Sequence, residues 1–315
     1  MYTLAEILKA INSRQHPVQL VKHYDEISDG ARKNMQWPAI AEVKYDGVYA
    51  LIVMTSDKGV QFISRSGKPL YFEQNYLPEL FECSAFMQAL RDGMCFVSEL
   101  INPELSLEEL SGMVNPNRVA GWGNTSMLTA DFVVHDAISI NDLMRGSSPT
   151  SFAVRVHWFP SVVPQQNTPT RKVVSSEFEW QEFCDSVINT GSEGAVLKQL
   201  HAPWIAGHKG WHVTKEVRGV HLDLRCVGWT LGKGKRSNQI GALYFEYNGK
   251  LFSADLGKGW TDEKRDALTA RAQSTNDDVT GAVFHIVGLQ ISSKGVVRLP
   301  KVLEERIDKH VADGE

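Results

Sequence analysis

Lys44 is a candidate nucleophile, and it lies between two carboxylates in the run Glu42-Val-Lys-Tyr-Asp-Gly47. The apolar pattern over 39–44 predicts a strand, in which Glu42 and Lys44 point to one face and Ala41 and Val43 to the other. A lysine amine can attack phosphorus only after losing its proton, which requires burial or nearby positive charge. The run is short enough to recur by chance, and an exposed lysine at a strand end is the simpler alternative.

Further charged residues follow at intervals along the chain. Glu99 and Glu193 lie near the ends of separate strand-like runs, and carboxylate oxygens at such places could hold a divalent cation. Lys215 could supply the fixed positive charge that phosphoryl and nucleotidyl transfer need. Taken singly, each glutamate has the simpler interpretation of a surface carboxylate.

The order of these segments resembles the motif series of the ATP-dependent DNA ligases, members of the covalent nucleotidyltransferase superfamily. Seven runs carry the resemblance: Lys44-Tyr-Asp-Gly47, Ser64-Arg-Ser-Gly-Lys68, Phe96-Val-Ser-Glu-Leu100, Phe132-Val-Val-His-Asp136, Glu193-Gly-Ala-Val-Leu-Lys198, Trp211-His-Val-Thr-Lys215 and Arg298-Leu-Pro-Lys-Val-Leu-Glu-Glu-Arg-Ile-Asp-Lys309. Each run alone is a weak signal. Together they span most of the chain in the family's order.

The resemblance implies a role for each residue that matches a motif. The catalytic residues are the nucleophile Lys44 with Lys215, Arg298 and Arg306. The nucleotide would be held by Glu42, Asp46, Gly47, Arg65, Glu99, His135, Lys198, Lys215 and Lys309. The metal, Mg²⁺ or Mn²⁺, would be held by Glu193, Glu99 and Asp46. DNA would be contacted by Arg65, Lys68, Lys233, Lys235 and Arg236.

Three positions depart from the family pattern. Tyr49 stands where the family usually has an arginine, two residues after the motif glycine, so a phosphate contact is missing or supplied elsewhere. His135 replaces the usual stacking aromatic residue; its ring can still stack on adenine, although it is smaller and can titrate. In the fifth motif Val213 takes the place of a first lysine, which leaves Lys209 as an alternative to Lys215.

The apolar pattern indicates an α+β chain of two domains. Helices are predicted to begin at Thr3, Ser106 and Ser176, and the polar connections 139–151 and 164–171 are interpreted as surface loops. Predicted strands cover 39–44, 48–54, 61–64, 96–101, 222–229, 241–247, 251–255 and 282–289. The later strands, with glycine turns and one helix near 261–272, suit a five-stranded OB-type barrel.

The fold implied by the resemblance agrees with this division. Residues 1–218 would form an adenylation domain of the nucleotidyltransferase (ATP-grasp-like DNA ligase) fold, with antiparallel sheets and flanking helices. Residues 219–315 would form the OB-fold domain, which moves about a hinge near 218–221. The short stretch before Lys44, and the absence of zinc-finger and BRCT patterns, predict the minimal two-domain type known from phages and bacteria.

Composition narrows the remaining possibilities. The 315 residues, 43% hydrophobic and 22% charged, are typical of a globular chain, and no apolar run approaches the roughly 20 residues that span a membrane. We therefore expect no membrane association and a cytoplasmic location. The resemblance implies a bacterial or phage-infected cell, and a monomer is the simplest assumption. The net charge of -4 does not favour nucleic-acid binding by itself, so DNA contact must depend on local basic clusters. The four scattered cysteines indicate neither a zinc site nor a disulfide framework.

The function implied is ATP-dependent sealing of 3′-hydroxyl/5′-phosphate nicks in duplex DNA, through a covalent lysyl-AMP and a DNA-adenylate, in replication or repair. An RNA ligase or an mRNA-capping guanylyltransferase is the nearest alternative, because it shares the lysine motif and the carboxylates. A catalytically dead, OB-containing module that binds single-stranded nucleic acid is the alternative from another class.

Overall fold

The computed structural model describes residues 1–71, 78–115, 130–257, 259–289, 291–292 and 295–314. The chain divides into two compact units, Met1–Val217 and Arg218–Glu315. Within the described ranges, no helix has the length and apolar character needed to cross a membrane. The four cysteines are free thiols.

Short helices alternate with strands along the chain. Three of them begin at the predicted caps: the side chains of Thr3, Ser106 and Ser176 each accept a hydrogen bond from a backbone N–H of the first turn. The helices of the described residues are α1 (Leu4–Asn12), α2 (Asp29–Arg32), α3 (Ser84–Arg91), α4 (Leu107–Met113), α5 (Ile140–Arg145), α6 (Phe152–His157), α7 (Phe159–Val162), α8 (Glu177–Asn189) and α9 (Asp262–Ala272).

The first unit is built on two five-stranded sheets. Its strands are β1 (Lys22–His23), β2 (Ala39–Lys44), β3 (Val48–Thr55), β4 (Gly59–Ile63), β5 (Pro69–Leu70), β6 (Met94–Ile101), β7 (Asp131–Ser139), β8 (Ser147–Ser148), β9 (Arg171–Val174), β10 (Gly194–Gln199), β11 (Trp204–Ile205) and β12 (Val213–Val217). Sheet one has the order β1-β12-β10-β2-β9 and sheet two the order β5-β4-β3-β6-β7. The pairs are antiparallel except for β1 with β12.

Helices cover these sheets because alternate strand residues are apolar on each face. In β3, Ile52 packs with Phe86 of α3, whereas the next residue, Val53, packs in a separate cluster with Ile7 of α1. Trp180 of α8 packs against sheet one. Both faces of sheet two are therefore buried, which fixes the two sheets as a rigid frame for the residues at their strand ends.

The second unit is a closed barrel, as the fold prediction requires. Its strands are β13 (Val220–Leu231), β14 (Ile240–Tyr247), β15 (Lys250–Leu256), β16 (Val283–Gly288) and β17 (Lys301–Glu305). They close in the order β13-β14-β15-β17-β16, with α9 between β15 and β16 along the chain. This arrangement confirms the predicted α+β fold class with a C-terminal OB-type barrel.

Helix α5 and strand β17 are among the features that were not predicted. The interpretation of 139–151 as a loop is wrong, because Ser139 caps α5 and Ser147–Ser148 forms a strand. The closing strand β17 lies inside the run that resembles the sixth motif. Of its five residues, only Val302 is buried, so it lacks the apolar alternation that signals a strand.

Candidate active site

A cavity of about 200 Å³ in the first unit is lined by residues of both large sheets. Its wall includes seven of the predicted site residues: Glu42, Lys44, Arg65, Glu99, His135, Lys198 and Lys215. They come from strands far apart in sequence, and the pairing of β2 with β10 and of β3 with β6 brings these strands side by side. A pocket with several converging charged groups in a mostly apolar wall is the usual form of a ligand site.

Lys44 is the last residue of β2, and it faces Glu193. Gly194, at the start of β10, pairs with Lys44 across the strands, which sets the preceding Glu193 beside it. The Lys44 Nζ donates a hydrogen bond to Glu193 Oε2, and both side chains are largely buried. The predicted nucleophile thus lies in the cavity wall. Its partner Glu193 could leave Lys44 to bind a metal ion instead.

Two glycines of the motifs are required by close approach. A Cβ on Gly47 would lie 2.3 Å from the Leu100 carbonyl oxygen and 2.8 Å from Glu99 Cγ. A Cβ on Gly194 would lie 2.1 Å from the Glu216 carbonyl oxygen. No real side chain fits at such distances, so these glycines let the backbones beside Lys44 and Glu193 pack against β6 and β12.

Lys215, on β12, is the second lysine of the site. It pairs with Val196 of β10, and β10 lies between the strands that carry Lys215 and Lys44. Burial lowers the pKa of Lys215, and the positive charge of Lys44 lowers it further. Lys209, the alternative in the fifth motif, forms an exposed ion pair with Glu26 at 3.5 Å and does not line the described cavity wall. The geometry therefore favours Lys215.

Glu99 is a carboxylate with an altered acidity. Burial raises its pKa to about 7, while Lys44 opposes this rise and the charges of Glu193 and Asp46 add to it. Three carboxylates therefore act on one another near the nucleophile, a concentration of negative charge that a bound cation would relieve.

The described residues contain no group of three or more His, Cys, Asp and Glu side chains already arranged to hold a metal ion. Magnesium is typically held by one or two carboxylates, with water and substrate phosphates completing its octahedron. Glu99 and Glu193 fit that mode, because their mutual repulsion is what a divalent cation offsets. Asp46 is exposed and interacts with Glu99 through its charge.

A second set of charges lies deeper in the cavity around Glu42. Its carboxylate accepts from Lys198 Nζ at 2.7 Å and from Arg171 Nε at 2.6 Å. Lys198 Nζ also donates to the His135 carbonyl oxygen at 2.9 Å, and Arg171 Nη2 donates to the same oxygen at 3.3 Å. Arg171 was not predicted, since a lone arginine at a strand start carries no distinguishing signal in the sequence.

His135 lies on β7 beside this set. Burial, and then the charges of Lys198, Arg171 and Lys44, lower the pKa of His135 well below its usual value. The ring is therefore neutral near neutral pH.

The neighbouring Asp136 forms an ion pair that was also not predicted. It binds Arg155 through two hydrogen bonds, Nε to Oδ1 at 2.8 Å and Nη2 to Oδ2 at 2.9 Å. Both residues are buried, and Arg155 also donates to the Ala202 carbonyl oxygen at 3.0 Å. The pair anchors α6 to β7, and Asp136 also lines the cavity.

The two predicted DNA-contacting residues of the first unit, Arg65 and Lys68, follow β4. Arg65, in the turn after β4, lines the cavity, whereas Lys68 in the same turn is not among its described wall residues. Tyr49, at the position where the family has arginine, also lines the cavity. Its hydroxyl is enclosed and has no hydrogen-bond partner among the described residues. Tyr49 therefore places an aromatic ring in the cavity wall, at the position where the family usually has a positively charged arginine.

The other predicted residues belong to the second unit. Arg298 follows the loop after β16 and is partly buried. Arg306 and Lys309 follow β17 and both bind Asp223. Lys233 and Lys235 are exposed in the turn between β13 and β14, and Arg236 of that turn lies 3.5 Å from Asp262.

Curated proteins similar to this chain are described as DNA ligases or probable DNA ligases. The family model described as "ATP dependent DNA ligase domain" matches residues 18–216. A DNA ligase of Nitrosopumilus maritimus is 36% identical over 107 residues, which are 30% of this chain and 18% of that protein. The aligned segments span from 18% to 51% of the lengths of the similar curated proteins.

Two solved structures share the fold. One, described as "Pmar-Lig_Pre.", has a TM-score of 0.69 at 18% identity and covers 92% of this chain and 67% of its own. Another, from "DNA binding with a minimal scaffold: Structure-function analysis of Lig E DNA ligases", has a TM-score of 0.64 at 17% identity and covers 92% and 98%. At identities this low, the structural similarity establishes the fold alone. The family model, in contrast, matches more than half of the 315 residues. The chain therefore belongs to the ATP-dependent DNA ligase family.

Proposed function

We propose that this protein is a DNA ligase that uses ATP to seal 3′-hydroxyl/5′-phosphate nicks in duplex DNA, acting as a monomer. One observation carries the proposal: Lys44 lies in the wall of the cavity, paired with Glu193 and in the charge field of Lys215. A primary amine in a pocket wall, with a second cation placed to hold phosphate, is an arrangement typical of a lysine that attacks phosphorus.

In the first step the Lys44 amine attacks the α-phosphorus of ATP. A P–N bond forms, the bond to the bridging oxygen breaks, and pyrophosphate leaves. Lys215 stabilises the charge on the α-phosphate, and Arg298, Arg306 and Lys309 of the second unit orient the pyrophosphate. Lys44 attacks as the neutral amine, and the proton that its nitrogen loses on forming the P–N bond passes to solvent.

The nucleotide is oriented by the deeper half of the cavity. His135, held neutral, stacks on the adenine, while Glu42 and Lys198 define the polar end of the pocket. Glu99, Asp46 and Gly47 lie toward the ribose, and Arg65 toward phosphate. Mg²⁺ or Mn²⁺, bound by Glu193 and Glu99 with a contribution from Asp46, would offset the negative charge of the triphosphate.

In the later steps AMP passes from Lys44 to the 5′-phosphate of the nick, and the 3′-hydroxyl then displaces AMP to form the phosphodiester bond. Arg65 and Lys68, with Lys233, Lys235 and Arg236 of the second unit, contact the DNA backbone. Because pyrophosphate and DNA must use one site in turn, the second unit moves about residues 218–221 between the steps.

The test is covalent labelling with α-labelled ATP and magnesium, followed by peptide mapping. We expect label on Lys44 in the wild type and none in Lys44→Ala. Lys172→Ala, which removes an exposed lysine from β9 of the same sheet, is the matched control and should label as the wild type does. Label elsewhere, or equal label in Lys44→Ala, contradicts the proposed nucleophile.

Substrate identity needs a second measurement. ATP, GTP and NAD are offered separately, and then nicked DNA and nicked RNA are offered to the labelled protein. We expect label from ATP alone and sealing of nicked DNA. Label from GTP would indicate a capping-type enzyme, sealing of RNA alone an RNA ligase, and DNA binding without any label a catalytically inactive binding module.

A further inference from the structure

Asp223, on the first strand of the barrel, is the centre of a charge cluster within the second unit. Its Oδ2 accepts from Arg306 Nη1 at 2.8 Å and from Lys309 Nζ at 2.9 Å. Its Oδ1 accepts from His285 Nδ1 at 2.7 Å. Both carboxylate oxygens are thus engaged, which fixes the rotation of the carboxylate as well as its position.

The segment that carries the two cations depends on the same residue for its backbone path. Strand β17 ends at Glu305, and the described residues beyond it form no helix or strand. The Asp313 N–H donates to the Asp223 carbonyl oxygen at 2.7 Å, and the Asp223 N–H donates to Asp313 Oδ2 at 2.7 Å. The segment 306–313 is therefore tied to β13 at Asp223.

Other carboxylates also meet these cations, but they are more exposed. Arg306 binds Asp308, whose side chain is 65% exposed, and Lys309 binds Asp313, whose side chain is 43% exposed. The Asp223 side chain is 10% exposed. Solvated ion pairs contribute little, whereas a buried carboxylate deprived of its partners is costly. Asp223 therefore has the greatest influence on where Arg306 and Lys309 point.

Asp223 is also ionised. Burial acts against its negative charge, but hydrogen bonds from Lys309 and His285 hold the pKa of Asp223 below its usual value. Its negative charge is thus present at neutral pH.

We propose that Asp223 is a positioning residue for the ATP-consuming step, holding Arg306 and Lys309 in the orientation in which they bind the pyrophosphate part of ATP. This inference rests on the proposed function. Asp223 itself would touch neither nucleotide nor DNA. It fixes one N–H of Arg306 and one of Lys309 on a shared oxygen, and the other engaged N–H groups meet the exposed Asp308 and Asp313, whose weaker pairs phosphate oxygens can replace.

The nearly isosteric substitution Asp223→Asn tests this role. Asparagine keeps one oxygen, which can still accept from Arg306 and Lys309 when its NH₂ faces His285 Nδ1, but it removes the negative charge. The two cations thus lose the charge of their common partner while the volume of the side chain hardly changes. Asp255→Asn is the matched control, because Asp255 lies on β15 of the same barrel and forms an exposed pair with Lys301.

The experiment separates reactions that involve pyrophosphate from one that does not. Full-length protein is first discharged with pyrophosphate. We then measure self-adenylylation against ATP concentration, discharge of the enzyme-adenylate against pyrophosphate concentration, and sealing of a nick that already carries AMP. For Asp223→Asn we expect kcat/KM to fall about tenfold or more in the first two reactions and to remain near the wild-type value in the third.

Asp223→Glu keeps the charge and should recover part of the lost activity, and Asp255→Asn should match the wild type in all three reactions. Equal loss of all three reactions in Asp223→Asn would overturn the inference, since it would indicate general damage to the barrel. The inference would also be overturned if the rates of Asp223→Asn depended on ATP and pyrophosphate concentration as those of the wild type do. Failure of the wild type to form an adenylate would instead refute the proposed function.

Discussion

Replacing Glu99 with glutamine should stabilise the ligand-free protein, and the gain should depend on pH. The pKa of Glu99 is about 7, against an ordinary value of 4.5. Between those values the folded chain keeps a proton that the unfolded chain has released. Wild-type stability therefore falls as pH rises from about 4.5, and the loss is complete above about 7. Glutamine at this position has no such loss.

The size of the effect follows from the same two values. Their difference of 2.5 pH units, taken as 7 minus 4.5, corresponds to about 3 kcal/mol at about 1.36 kcal/mol per unit. Because part of the loss has already occurred at about pH 5, the stability advantage of Glu99→Gln should grow by about 2 to 3 kcal/mol between about pH 5 and about pH 8.5.

The assay is urea unfolding at these two pH values, without metal or nucleotide, for wild type and variant. Glu104→Gln is the control, because Glu104 is an exposed carboxylate just beyond the same strand. Its stability difference from the wild type should be the same at both pH values. If the difference for Glu99→Gln is likewise unchanged, the reasoning that burial raises the pKa of Glu99 is wrong. Self-adenylylation of Glu99→Gln should be impaired at both pH values, because the proposed metal ion loses a ligand.

Three further predictions concern other parts of the protein. Arg155→Met should lower the free energy of unfolding by about 3–5 kcal/mol, since Asp136 would stay buried without its partner; an unchanged urea midpoint would contradict this. Gly194→Ala should slow adenylate formation by about 10- to 100-fold by displacing β10 from Glu216, whereas Gly30→Ala, with open space around its Cβ position, should not; equal rates would argue against the close approach. Nick sealing should weaken steeply with salt as DNA contacts are lost, while self-adenylylation without DNA should change little; a parallel decline would oppose the proposed phosphate contacts.

Local sequence patterns predicted the elements of the fold well. The strand at Ala39–Lys44 and the caps at Thr3, Ser106 and Ser176 depend on residues a few positions apart, and the structure confirms them. Helix α5 was missed because Ser139 was interpreted as a loop residue, although serine is equally a helix cap. Strand β17 was missed because its residues do not alternate between apolar and polar. Its pairing with β15 and β16, which are distant in sequence, stabilises it instead.

The site was predictable only where a family motif marked it. Lys44 and Glu193 are 149 positions apart, so no periodicity relates them; their proximity followed from the resemblance alone. Arg171 and Asp223 bind predicted residues yet lie outside the motif runs, so nothing in the sequence distinguished them. Partners of this kind are fixed by strand register, which the sequence encodes only through the whole fold.

The closing strand of the barrel has a consequence for biosynthesis. Strand β17 pairs with both β15 and β16, and the proposed pyrophosphate-binding residues follow it directly. A growing chain that ends before Lys301 has an open barrel and also lacks Arg306 and Lys309. Completion of the second domain and acquisition of its proposed chemistry thus coincide. A chain that ends before Lys301 would thus be unable to use ATP, because barrel closure and the proposed pyrophosphate-binding residues depend on the same segment.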